Sequence, residues 1–225
     1  MNIAFFRRLG KGFLRLLSNE KFPGSAEYWE NRYHAGGNSG AGSYNTLAEF
    51  KAGVINNFIS EYGIIDSLEF GCGDGNNLKL IKYPKYIGLD VSPTAVANCI
   101  SAFSEDTTKS FYLYNSISFR DNHKLFVSEL TLSLDVIYHL VEEDVFNAYM
   151  GHLFGASQKY VIIYSTNFEG RQKFHERNRT FTNWILQHQP HFRLIKQIEN
   201  PYKYDALHPN ETSNAEFYIY ENIRD

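Results

Sequence analysis

Cysteine is scarce in this chain. Cys72 and Cys99 are the only two in 225 residues, too few for a disulfide framework or a cysteine metal cluster. Their scarcity suits a reducing cytoplasm. No apolar run reaches the roughly 18–20 residues that span a bilayer. Basic excess is also missing: the formal net charge is −3, so no global positive field draws nucleic acid. No internal repeat is visible, and nothing in the second half argues for a separate core. Metal-binding spacings are absent too, and no metal is expected. Glu142, Glu143 and Asp144 are consecutive, so on a helix they diverge and read as a solvated start that complements the dipole.

What is present is an ordinary globular balance, 43% hydrophobic and 21% charged, enough for one well-buried domain. Residues 1–20 are different. Phe6, Leu9, Phe13, Leu16 and Leu17 recur at helical spacing, while Arg8, Lys11 and Arg15 fall on another face. Such a basic amphipathic helix packs on its own domain, on a partner, or on an anionic membrane surface. No small-residue cleavage site follows a continuous apolar core, so a signal peptide is not expected. Residues 1–24 are read as this helix and a linker, and residues 25–225 as one domain whose first part, 25–62, precedes the sheet.

Helices are expected over Ser25–His34 and Thr46–Tyr62, separated by the glycine- and serine-rich loop Ala35–Ser43. Strands are expected at Ile65–Phe70, Tyr86–Leu89, Phe111–Tyr114, Leu130–Asp135 and Tyr160–Tyr164, with a closing pair at Phe192–Ile198 and Ala215–Glu221. Helices are expected at Asn76–Ile81, Ser92–Phe103, Glu142–Phe154 and the second part of Phe168–Gln187. Ser92 is read as an N-cap and Pro93 as the first helical residue. The alternation gives a parallel, doubly wound α/β sheet.

The richest segment is Ser67–Asp90, SLEFGCGDGNNLKLIKYPKYIGLD. An apolar run ends in Glu69, and Gly71, Gly73 and Gly75 follow. A second apolar run ends in Asp90. Alternate glycines allow φ > 0 and close ligand approach. An acid at the tip of the second strand can accept both hydroxyls of a ribose. A dinucleotide site normally shows G-x-G-x-x-G. Here Glu69 precedes the glycines and Asp74 lies among them, and two carboxylates repel a pyrophosphate. They suit a cationic or zwitterionic ligand.

The E-F-G-C-G-D-G run, with Asp90 at the matching second-strand position, resembles motif I of the class I S-adenosylmethionine-dependent methyltransferases. The resemblance extends over most of the chain from about Tyr28. It implies a Rossmann-like seven-stranded sheet in the order 3-2-1-4-5-7-6, closed by an antiparallel hairpin. It implies S-adenosylmethionine as cofactor, with Glu69, Gly71, Gly73, Gly75 and Asp90 binding its methionine and ribose parts. Asn115 and Ser116, after the third strand, would flank adenine. Leu134 and Asp135, after the fourth, would edge the methyl-donor pocket; a helix N-cap is the plainer role for Asp135. Nothing resembles the N-P-P-Y or D-P-P-Y motif of amino-group methyltransferases of nucleic acids.

Two further segments are candidates for acceptor recognition and closure. In YWENRYHAGGNSGAGSY, Tyr28, Trp29 and Tyr33 would close on the cofactor, and Tyr44 on the acceptor. Arg32 or Lys51 would meet the cofactor carboxylate, and the backbone of Asn38–Ser43 would form an anion nest. In FHERNRTFTNW, the alternating His175, Arg177 and Arg179 suit a carboxylate or phosphate on a sugar or lipid carrier, or else a solvated basic helix start. His139, one helical turn after Asp135, and His175 are the candidate bases. The SGAGSY, LAEFK, SLDVIYHLVE and H-x-R-x-R-x-F-T-x-W elements resemble a bacterial set often found among surface-polysaccharide genes. That implies O-methylation of an anionic sugar; a small or lipid-linked metabolite, or a non-catalytic cofactor-binding module, are the alternatives.

Overall fold

The computed structural model describes residues 21–224, so the reading of the amphipathic segment 1–20 lies outside them. Two helices precede the sheet: α1, Ser25–His34, and α2, Asn45–Tyr62. The alternating units follow: β1, Asp66–Phe70; β2, Lys85–Asp90; α3, Pro93–Ala102; β3, Lys109–Leu113; β4, Ser128–Leu134; α4, Glu143–Gly155; and β5, Ser157–Ser165. A small hairpin, β6 at Gly170–Lys173 and β7 at Glu176–Asn178, then leads to α5, Phe181–His188. The chain closes with β8, Phe192–Ile198, and β9, Glu216–Asn222.

The main sheet runs β3-β2-β1-β4-β5-β9-β8. Its first five strands pair in parallel, and β9 inserts antiparallel between β5 and β8. This is the order read from the sequence, with β8 and β9 in the places of the sixth and seventh strands. The chain winds outward from β1 through β2 to β3, then crosses back to β4 beside β1. That reversal opens a crevice beyond the carboxyl ends of β1 and β4.

Period-2 alternation divides the core between the two faces of the sheet. In β5, Val161 and Ile163 join one apolar layer with Phe146, Met150 and Leu153 of α4. Ile162 and Tyr164 join the other, with Ile55, Phe58 and Ile59 of α2. Covered on both faces, β5 therefore reads as a continuous apolar run. Ser92 caps α3, its Oγ accepting from Ala95 N at 3.0 Å, with Pro93 following as expected.

Two expectations fail. The helix over Asn76–Ile81 is a single 3-10 turn, Asn77–Leu80. Pro84 disfavours helix at Tyr83, and the chain must return to β2 at Lys85. The HERNR run is not a helix start either. Its alternation belongs to β7, which pairs with β6 through Gly170↔Asn178 and Lys173↔Glu176.

Candidate functional site

The crevice holds a cavity of about 330 Å³. Strand tips supply its floor: Glu69 and Gly71 from the end of β1, Asp90 from β2, Tyr114 to Ile117 beyond β3, and Leu134 to Val136 beyond β4. Trp29 and Tyr33 of α1 roof it, and His139 and Glu142 close one end.

The glycine turn is held by backbone geometry. Gly71, Gly73 and Gly75 all take positive φ, at 87°, 59° and 74°. A Cβ on Gly73 would collide with Ser39 Oγ and lie 3.0 Å from Tyr33 Oη, so glycine is needed for space as well as for φ. Asp90 reaches back to this turn. Its Oδ2 accepts from Gly73 N at 2.8 Å and its Oδ1 from Ser92 N at 2.9 Å. Each oxygen keeps a further lone pair for a ligand. Burial pushes the Asp90 carboxyl up to about 6, although the N–H groups of Ser92 and Gly73 work against the shift. Burial likewise raises Glu69 to about 7, opposed by the hydroxyl of Tyr86, which donates to its Oε2 at 2.7 Å.

Asp74 has another task. Its Oδ2 accepts from Ser39 N at 2.9 Å and from Tyr44 Oη at 2.8 Å, and Ser39 Oγ accepts from Asp74 N at 3.0 Å. Burial alone would raise this carboxyl, but the donors of Ser39, Asn76 and Tyr44 outweigh it and hold it below its usual range. The 38–43 loop therefore spends Ser39 N on Asp74 instead of an external anion. Tyr44 is a strut for the glycine turn and does not line the cavity. Burial, then Asp74, raises its hydroxyl to about 12.

The roof is pinned at both ends. Ser25 N and Oγ donate to Glu142 at 2.8 and 2.5 Å. Glu30 reaches the start of α3, where Ser92 Oγ and Thr94 N donate to Oε2 at 2.5 and 3.1 Å and Thr94 Oγ1 donates to Oε1 at 2.7 Å. Sequence reasoning missed Ser25, Glu30, Ser39 and Glu142 in these roles. Only S-P-T at Ser92–Thr94, a ready acceptor-seeking helix start, hinted at one of them. Glu142 is half-buried and held by Ser25, and so is not the fully solvated helix start expected of it.

Asp135 sits at φ 60° and receives Lys51 Nζ at 2.5 Å and Tyr138 Oη at 2.9 Å. The Lys51 side chain is fully buried. Asp135 is therefore an ion-pair partner under the cavity; it caps no helix, and Lys51 is not available to a cofactor carboxylate. Arg32 is also engaged, its Nε donating to Asn38 O at 2.6 Å.

Of the residues expected in the site, Glu69, Gly71, Gly73, Asp90, Asn115, Ser116, Leu134, Asp135, Trp29, Tyr33 and His139 border the cavity. Gly75 turns against Cys99 and Phe103 instead. Tyr28 stacks on His175 with ring centroids 4.4 Å apart. His139 meets Trp29 edge to face at 4.8 Å and lies parallel to His175 at 5.5 Å. Burial lowers His139 to about 4 and lowers His175 as well, so both imidazoles are neutral near pH 7.

The two arginines part company. Arg179 is buried: it donates to the carbonyls of Leu140 and Val141 and packs over Phe146 at 4.5 Å. It fastens the β4–α4 link and is withdrawn from any acceptor. Arg177 is partly exposed, pairing with Glu143 Oε2 at 2.9 Å and Val141 O at 3.2 Å.

Six carboxyl groups border the cavity, from Glu27, Glu69, Asp74, Asp90, Asp135 and Glu142; among the described lining residues there is no lysine or arginine. Lys51 offsets Asp135 and burial keeps Glu69 partly protonated near pH 7, and the remaining carboxylates attract a cation and repel a polyphosphate.

No protein-family model and no curated protein matches the chain. Solved structures do share its fold. The N-methyltransferase NodS from Bradyrhizobium japonicum, in complex with S-adenosyl-L-homocysteine, superposes with a TM-score of 0.66 at 12% identity, covering 89% of this chain and 100% of that one. Magnesium protoporphyrin IX methyltransferase from Synechocystis, with bound SAH, gives 0.62 at 12% identity over 88% and 97%. The methyltransferase domain of bacterial CtHen1 gives 0.57 at 18% identity over 78% and 98%. The chain thus has the seven-stranded Rossmann-like fold of these enzymes.

Proposed function

We propose that the chain is an S-adenosylmethionine-dependent methyltransferase. The observation that carries this reading is Asp90. It is a buried carboxylate at the tip of β2, tied to the glycine turn through Gly73 N and still facing the cavity. Its unused lone pairs fit the two ribose hydroxyls. The acidic lining fits a ligand that carries a sulfonium and an ammonium and lacks phosphate. Neighbours of the same fold were crystallised with SAH or SAM.

When bound, the cofactor supplies an activated methyl group, so alignment of the acceptor provides much of the acceleration. Asn115 and Ser116, which line the cavity, would flank its adenine, and Leu134 would edge the methyl-donor pocket. Trp29 and Tyr33 exclude water from above. His139, which lines the cavity, is the candidate to accept a proton from an acceptor hydroxyl, with burial making it a weak base.

For the acceptor we propose an oxygen nucleophile on a small or carbohydrate molecule. An anionic group on it would stay out of the acid-lined cavity and meet Arg177, which is partly exposed beside Val141.

Calorimetry with S-adenosylmethionine tests the core reading. Saturable binding is expected, weakened by about two orders of magnitude or more in Asp90→Ala. Absence of binding at millimolar cofactor, or unchanged binding in the variant, overturns it. An acceptor screen with methyl-labelled cofactor over sugars, nucleotide sugars and lipid-linked sugars then identifies where the label goes.

A further inference from the structure

At the closed end of the cavity three residues converge from two distant segments. His139 follows β4, and His175 and Glu176 form the turn and first residue of the β6–β7 hairpin. One donor atom from each lies within 4.8 Å of the others. The sequence shows no metal-type spacing here, because the residues adjoin only after β7 docks beside the turn that holds His139.

We propose that His139, His175 and Glu176 bind one divalent first-row transition-metal ion. Two imidazoles and one carboxylate form a three-ligand set of the kind that suits Zn²⁺, Mn²⁺, Fe²⁺ or Co²⁺ and leaves coordination positions open. Four observations support it. The His139 ring is already oriented: Nδ1 faces the carbonyl of His175 at 3.3 Å, and since a carbonyl only accepts, Nδ1 carries the proton and Nε2 the lone pair. The two rings lie parallel within 12°, held by Trp29 on one and Tyr28 on the other. The Glu176 carboxylate is buried, and among the described residues its basic partners are Lys173 Nζ at 3.0 Å and His175 Nε2 at 3.6 Å. The Lys173 side chain is 65% exposed, so it can swing to solvent and yield its place to an ion. Finally, His139 itself lines the cavity, so the open positions have a route to a ligand within it.

The ion gives the cavity end a chemistry that neutral imidazoles lack. With Nε2 on the ion and Nδ1 protonated, His139 no longer accepts a proton itself; the ion activates the acceptor instead, drawing in its oxygen and lowering the pKa of its hydroxyl. That role rests on the methyl-transfer reading; binding of the ion does not.

The test is a titration of the full chain, first stripped with chelator, with Co²⁺ followed by visible absorption and with Zn²⁺ by calorimetry. One ion per chain is expected, with Co²⁺ bands displaced by Zn²⁺. His175→Ala and Glu176→Gln should each weaken binding at least tenfold. Thermal unfolding checks that each variant is folded, and Glu176→Gln, which keeps the side-chain shape, covers the case in which the histidine variant is not. Absence of saturable binding, or equal affinity in folded His175→Ala and Glu176→Gln, overturns the site. Cofactor calorimetry on the same samples separates the two readings: ion binding without cofactor binding removes the methyltransferase and keeps the metal site, and the reverse does the opposite.

Discussion

The two ends of the cavity are built differently. The glycine-turn end comes chiefly from one continuous segment, Glu69 to Ser92, braced by Ser39 and Tyr44, and its shape is set mainly by backbone: positive φ at three glycines and N–H groups donated to Asp90. The histidine end is assembled from α1, the turn after β4 and the β6–β7 hairpin, and depends on side chains meeting across more than a hundred residues, as Ser25 meets Glu142. Backbone-built sites tolerate change in their surroundings. A side-chain-built site changes with each element that carries it.

The Lys51–Asp135 pair lies under the cavity and belongs to side-chain construction, so removing it gives the largest expected effect. Lys51→Met leaves a largely buried carboxylate facing no cation. A destabilisation of about 3–5 kcal/mol is expected in denaturant unfolding. Adding Asp135→Asn should recover part of it. No recovery in the double variant would mean that Lys51 acts through packing alone.

The next effect belongs to the glycine-turn end. Asp90→Asn keeps the shape but turns an amide N–H toward one of the two backbone donors. Cofactor affinity should fall about a hundredfold, while stability drops by about 1–3 kcal/mol. Comparable loss of cofactor affinity in Glu176→Gln, at the far end, would break the division drawn above.

The contrast also explains what could be read in the sequence. Glu69, Gly71, Gly73 and Asp90 were legible because their relation is local: strand, turn and strand fix it within one unit. The sheet order followed from alternating apolar runs and the resemblance. Legibility failed where one pattern serves two structures. Charged residues alternating at His175, Arg177 and Arg179 read equally as a solvated helix start or as a short strand, and pairing with β6 decided for the strand. Asp135 and Lys51 were each assigned to a ligand because sequence cannot show that they face one another. Asp74 was correctly placed in the glycine turn, but its carboxylate is spent on Ser39 and Tyr44.

The arginines give a smaller effect that sharpens the histidine end. Arg179→Met strips donors from the carbonyls of Leu140 and Val141 and should cost about 1–3 kcal/mol of stability. Arg177→Met, at a half-exposed pair, should change stability by less than about 1 kcal/mol. If an anionic acceptor docks on Arg177, Arg177→Met should raise its KM and leave cofactor affinity unchanged. Equal stability loss in both variants would put Arg177 in the structural role of its neighbour.

A further test is a pH dependence confined to the glycine-turn end. Burial holds Glu69 near 7 and Asp90 near 6 in the fold, above the ordinary carboxylate values of 4.5 and 3.8. Between those limits the folded chain holds more protons than the unfolded one, so stability falls as pH rises. These two groups therefore contribute stability that is fully present below about pH 4 and is lost as pH climbs through 6 to 7. Cofactor binding should show the opposite slope, because the ribose hydroxyls and the sulfonium favour the ionised carboxylates. Affinity should rise several-fold from pH 5.5 to 7.5, and binding near pH 6.5 should release protons, measured by calorimetry in buffers of different ionisation enthalpy. Asp90→Asn should flatten the part of that slope near pH 6. A slope that persists unchanged in the variant would move its origin away from Asp90 and leave Glu69, near 7, to carry it.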